Sequence, residues 1–278
     1  MGHWRRHGKV EIRQRRPTTT FLFERVLMSD VTMSSDIEAA LAAHRHELIE
    51  SAATLYAVQD VFGKKVRDQS KAAFGRLVDA HLLIAGVLAA ALLRTNGKIT
   101  PITDTSEERD ALFASYIIGM DACERAIMEG RYLQAHALLR QEMETLAQLK
   151  AVAAGNRNSK RSPNVAVLER SLARLYDELS AGAHVSKHHI VRAATEWEVS
   201  GDDLLGPTSG TRYFPAFVEG VARRSFALHL ILTLCLIEEL SIDLNARHTR
   251  DGFTPREAEA VDLAWVLMRA EGMVEFDD

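Results

Sequence analysis

The sequence predicts an all-α protein, a bundle of about seven helices with one long irregular loop at about 190–212. Three observations carry this. Only 6 prolines and 16 glycines are spread through 278 residues, so few positions break a helix. Alanine and leucine are abundant while β-branched runs are short, and straight-chain residues lose little rotamer freedom on a helix. Apolar positions recur at three and four residues, the spacing of one helical face. With 47% hydrophobic residues the chain can also bury a sizeable core.

Each element follows from its start and stop signals. Ser34, Ser35 and Asp36 offer caps for a first helix through "IEAALAAHRHELIESAATLYAVQDVF", which Gly63 is expected to end. A second helix, about 64–94, contains "LLIAGVLAAALL", and "TNGKITPITDTSEE" makes a turn-rich connection. Helices at about 106–129 and 131–154 are stopped by Gly130 and Gly155. "NRNSKRS" reads as a solvated basic loop. Ser162 and Pro163 form a cap and first-turn proline for a helix reaching about Ser180. Beyond His189, β-branched residues followed by glycine and proline predict a short extended piece and a long loop. A long helix follows from about Ala216, and Thr254, Pro255 and Glu257 open the last one as a capping box with proline in its first turn.

Charge divides the chain. Residues 1–33 hold seven arginines and lysines against three acids, so they carry +4 of a total of −4 and leave −8 for the remainder. We read 1–33 as a disordered or untranslated basic leader, with Met28 or Met33 as the alternative start, in preference to an RNA-binding arm. Residues 34–278 form a single α-helical domain. Its acidic balance argues against a broad phosphate-binding face, because such a face works by neutralising phosphates. Cys123 and Cys235 lie far apart in apolar helical contexts, with no CxxC and no secretory leader, which predicts buried thiols and a cytoplasmic protein. Two apolar runs, 82–93 and 226–237, fall short of the roughly 20 residues that span a bilayer. They predict core helices and no membrane partner.

Several chemistries are excluded by spacing. No glutamate has histidine three residues later, which a di-iron bundle needs. "HRHELIE" puts Glu50 where a metalloprotease has its second imidazole, so it reads as an exposed charged face. Leu92 replaces the first glycine of a phosphate loop ending in "GKIT", and neither GxSxG nor GxGxxG occurs. Arginine followed by histidine at helical-ribonuclease spacing occurs as Arg76/His81, Arg131/His136, Arg224/His229 and Arg223/His229. Roughly three such pairs are expected by chance, so the count carries no weight.

One stretch stands apart. In "LARLYDELSAGAHVSKHH", Tyr176, Ser180 and His184 recur every four residues and fall on one stripe of a helix, with the small residues Ala181, Gly182 and Ala183 allowing close approach by a neighbour. If Gly182 ends the helix, His184 sits at the negative end of its dipole, which favours a cationic ring. On the preceding helix Arg140 and Glu144 are one turn apart and interrupt an apolar surface. A buried guanidinium needs partners, so Arg140, Glu144, Tyr176, Ser180 and His184 are predicted to meet in one binding network. No cofactor or metal is predicted: His184 and His188 are four apart, but Lys187 would repel a cation. Trp197 and Tyr213, flanking the long loop, are expected to be core anchors or to cover the pocket.

Arg140-x-x-x-Glu144 followed by Tyr176-x-x-Leu179-Ser180-x-x-x-His184 resembles the signature of a group of uncharacterised bacterial all-helical proteins, distantly similar to HEPN bundles, over about 107–245. The resemblance implies an interaction or regulatory protein whose partner is another protein or a small ligand, with an apolar helix face for a homodimer. The alternative it implies is a nucleotide-binding protein or metal-independent ribonuclease acting on RNA, in which His184 is general acid or base, Arg140 holds the phosphate and Glu144 completes the catalytic set.

Overall fold

A computed structural model of the chain describes residues 37–39, 41, 42, 44–98, 103, 105–157, 162–199, 208–247 and 252–273. The expected leader and the caps Ser34, Ser35 and Asp36 lie outside the described residues. Contacts divide the chain into two units, 1–57 and 58–278. The first shows helical residues from Ile37, a π-helical turn at Arg45–Ile49 and the start of α1 (Glu50–Phe74). It turns Leu41, Leu48, Leu55 and Tyr56 outward.

The second unit is the helical bundle. After α1 come α2 (Arg76–Thr95), α3 (Ser106–Met128), α4 (Tyr132–Ala153), a 3₁₀ turn at Val165–Val167, α5 (Arg170–Ala183) and α6 (His188–Thr195). Two strands, β1 (Glu196–Val199) and β2 (Thr208–Thr211), pair antiparallel with Glu196 opposite Thr211, and α7 (Glu219–Arg247) and α8 (Pro255–Ala270) complete the chain. The all-α class holds. The stretch expected to be irregular at 190–212 carries part of α6 and this short ribbon among its described residues.

α7 organises the core. Its middle, 226–237, is largely apolar and mostly buried, and it packs against α2, α3 and α4 while α8 covers α2 and α5 covers α4. Phe226 of α7 stacks on Phe74 at 4.4 Å. α2 and α7 are long and apolar enough to cross a membrane by length and composition, yet 72% of the apolar window of α7, against 33% for α2, is buried inside the protein.

Two helix boundaries differ from expectation. Gly63 does not end a helix: α1 runs through it, since one interior glycine costs a helix only about 1 kcal/mol. The break comes at Gly75, in the left-handed region at φ +54°. Glu271 Oε1 then accepts the Arg76 amide at 2.9 Å, supplying from a distant segment the cap that α2 lacks locally. Ser162 and Pro163 do not open α5. Asn164 caps the short 3₁₀ turn instead, and α5 begins only at Arg170. Gly130 and Gly155, at φ +73° and +66°, stop α3 and α4 as expected, and the Thr254 and Glu257 capping box opens α8.

Candidate functional site

α4 and α5 pack side by side, and their seam brings the predicted network together. Arg140 Nε donates to Glu144 Oε1 at 2.9 Å and to the Tyr176 hydroxyl at 3.2 Å. Tyr176 in turn donates to the same carboxylate oxygen at 2.5 Å. The guanidinium also lies over the Tyr176 ring, 5.3 Å from its centroid. At the far end Arg140 Nη1 reaches His184 Nε2 at 2.6 Å. Ser180 takes no part through its hydroxyl among the described residues; its carbonyl accepts the His184 amide at 2.9 Å. Leu179 is buried beside them.

The electrostatics follow from who can donate. A guanidinium can only donate, so Nε2 of His184 is the acceptor in this contact. α5 runs through Gly182 to Ala183, and His184 is its exposed C-cap. The dipole expectation of a cationic ring meets a second cation, Arg140, at that spot. The Tyr176 hydroxyl first, and Glu144 after it, hold the Arg140 guanidinium above its ordinary pKa.

Beside this seam lies a cavity of about 400 Å³ between α4, α5, α6 and α7. Its walls are mainly leucine, isoleucine and alanine, and Tyr132, His136, Glu178, His189 and Arg224 supply its ionisable groups. His136 sits one turn before Arg140 on α4, and burial lowers its pKa against the opposing pull of Glu178. Its Nδ1 is buried and finds no hydrogen-bond partner. Gly182 explains the fit: an added Cβ there would lie 2.2 Å from that nitrogen. The small residues of α5 do permit a close approach, and the imidazole that approaches is His136. Just past α5, Val185 takes φ +47°, the one non-glycine residue in that region among those described. A β-branched side chain is strained there, so the joint between α5 and α6 is a tight one.

Other predicted residues fall elsewhere. His188 and His189 are exposed. Tyr213 is 81% exposed, neither core anchor nor cover, and it lines a different cavity with Phe62 and Phe214; Trp197 pairs with Gly210 through the backbone of the ribbon. The Arg-and-His pairs do not act as pairs, since Arg224 and His136, from different ones, line the same cavity while His229 is wholly buried. Sequence reasoning missed a second polar cluster. Cys123 of α3, Glu142 of α4 and His229 of α7 are all buried and present one donor atom each within 4.8 Å of one another, the one such group among the described residues. Their spacing along the chain carries no local signal.

No family model matches this chain, and neither a curated protein nor a solved structure matches it.

Proposed function

We propose that this chain is a helical ligand-binding protein of the interaction or regulatory kind, which takes a small organic molecule with an apolar body and an anionic or hydrogen-bonding head. The observation that carries this is the cavity of about 400 Å³ beside the Arg140 network. An apolar hollow with a few convergent polar groups, one of them a histidine with a shifted pKa, is the usual make-up of a small-molecule site. Arg224 is exposed at its edge and forms no ion pair among the described residues, so it is the cation for an acidic head. The Arg140, Glu144, Tyr176 and His184 network ties α5 to α4 beside the hollow. A ligand wedged against α5 and α6 would bear on the strained Val185 joint, and the shift of α6 would be the signal.

The test uses a fluorescent apolar sulfonate, anilinonaphthalene sulfonate, on the folded full chain. Saturable enhancement is expected, lost in Ala194→Trp, which fills the hollow, and weakened several-fold in Arg224→Gln, with both variants melting as the parent does. Absence of saturable binding, or equal binding by Ala194→Trp, overturns the reading. We further propose that a homodimer forms on the exposed face carrying Leu41, Leu48 and Leu55; Leu48→Glu is expected to give a monomer in size-exclusion chromatography with light scattering.

A second reading rests on the contact of Arg140 with an exposed His184. It makes the protein a metal-independent ribonuclease of the HEPN-like kind, with His184 moving the proton and Arg140 at the phosphate. Against it, Glu144 already balances the Arg140 charge. Total RNA incubated in chelator separates the two: cleavage by the parent but not by His184→Ala or Arg140→Ala supports the ribonuclease, and equal traces from all three remove it.

A further inference from the structure

The buried group formed by Cys123, Glu142 and His229 has features that a packed core does not require. Each belongs to a different helix, α3, α4 and α7, so the donors are held by the bundle and not by one flexible loop. None is more than 5% exposed. His229 Nδ1 meets both Glu142 oxygens, at 2.9 and 3.1 Å. Its other nitrogen, Nε2, is buried with no hydrogen-bond partner. Nε2 lies on the far side of the ring from the carboxylate, so the nitrogen that joins the cluster is Nδ1. Against Cys123 and Glu142 lies a small cavity of about 20 Å³, also lined by Tyr116 and Gln141, room for about one water molecule.

We infer that Cys123, Glu142 and His229 bind a divalent transition-metal ion of the zinc class, with one water in the small cavity as the fourth ligand. One thiolate, one imidazole and one carboxylate make a three-protein-ligand set of the kind that leaves a zinc coordination position open. The thiolate selects against magnesium and calcium, which take oxygen ligands. Charge balances as well: thiolate and carboxylate together cancel the two positive charges of the ion, so the filled site is neutral in a place where a net charge is costly. Binding releases the thiol proton to solvent, the Nδ1 proton now held against Glu142 passes to Nε2 so that Nδ1 can ligate, and no oxidation state changes. Donor atoms around one zinc sit roughly 3.5 Å apart, so the three side chains, now within 4.8 Å, need only small rotations to close. Thr233 fixes the helix locally, its hydroxyl donating to the His229 carbonyl at 2.8 Å while it meets the Tyr116 hydroxyl at 3.4 Å.

The test takes the tag-free full chain, stripped with chelator, reduced and titrated with cobalt(II). One equivalent is expected to bind with a near-ultraviolet sulfur-to-cobalt charge-transfer band, which zinc(II) then bleaches. Zinc is also expected to raise the melting temperature. Cys123→Ser abolishes the band and the thermal shift, His229→Gln drops the stoichiometry from one equivalent to none, and Cys235→Ser changes neither. A parent chain that binds no metal at micromolar free zinc, or that binds cobalt with no sulfur band, overturns the assignment and leaves the cluster a hydrogen-bonded core. Equal binding by Cys123→Ser does the same. Should His229→Gln fail to fold, the parent titration and the near-isosteric Cys123→Ser decide.

Discussion

Arg140 and His184, 44 residues apart in sequence, meet at 2.6 Å across the seam of two helices, with the guanidinium as donor and the imidazole as acceptor. The two contribute unequally. Arg140 also holds Glu144 and Tyr176 and lies over the Tyr176 ring, whereas His184 is an exposed cap with this one side-chain contact.

Arg140→Ala is therefore expected to cost about 1–2 kcal/mol, since it unmakes charge-assisted bonds on a half-exposed surface. That corresponds to roughly 2–4 °C in melting temperature per kcal/mol for a chain of this size. His184→Ala should cost under about 0.5 kcal/mol. Thermal unfolding of both variants and of the double mutant gives the coupling directly, and a larger loss for His184→Ala than for Arg140→Ala contradicts this division.

Gly182 and His136 supply a second prediction. The close approach of the imidazole leaves no room for a methyl group at 182, so Gly182→Ala is expected to lower stability by about 1–3 kcal/mol, the range for overpacking. His136→Ala removes the obstacle. In that background Gly182→Ala should cost much less, and an unchanged cost would show that the methyl meets something other than the ring.

These two relationships differ in how far the sequence announces them. Arg140, Glu144, Tyr176 and His184 are legible because each spacing of four fixes a helical face, and because a guanidinium amid apolar neighbours must find acceptors. Glycines 130 and 155 and the Thr254 box are legible for the same reason, since their signals are local. Gly63 misleads because a single glycine costs a helix only about 1 kcal/mol and need not end it, and the true break at Gly75 is capped by Glu271 from the other end of the chain. Ser162 and Pro163 start a short turn as readily as a helix. Cys123, Glu142 and His229 come from three separate helices, so no spacing along the chain could connect them.

Acid sensitivity follows from Glu257. Burial alone would push its carboxyl up, but two bonds from Arg94, at 2.6 and 2.9 Å, and the Thr254 amide at 2.8 Å outweigh that and hold it below its ordinary 4.5. A depressed carboxyl stabilises the fold fully above the unfolded value and loses that contribution as pH falls through the folded one. Urea midpoints are thus expected to fall below about pH 4.5. Glu257→Gln should start lower at neutral pH and show a shallower acid limb; parallel limbs for the two proteins would assign the acid loss to other carboxyls.

Arg109 of α3 is a buried charge held by several partners. At 5% exposure it donates to Asp243 Oδ1 at 3.1 Å, to the Leu149 carbonyl at 3.0 Å and to the Glu239 carbonyl at 3.3 Å, with the Glu239 carboxylate at 3.5 Å and the Phe113 ring 5.5 Å away. Removing one partner of a buried pair leaves the other charge stranded, which costs roughly 3–5 kcal/mol. Here the stranded groups keep some company, since Arg247 binds Asp243 and Lys150 meets Glu239 at 3.1 Å. Arg109→Leu is therefore expected at the lower end, about 3 kcal/mol, which is about 6–12 °C in melting temperature. Arg109→Lys keeps the charge but cannot reach acceptors on both sides as the planar fork does, so it should recover only part of the loss. Because the contacts join α3 to α4 and α7, the loss should appear as a lower midpoint for the whole bundle. A local change with the midpoint unmoved would mean that the neighbouring cations take over the site.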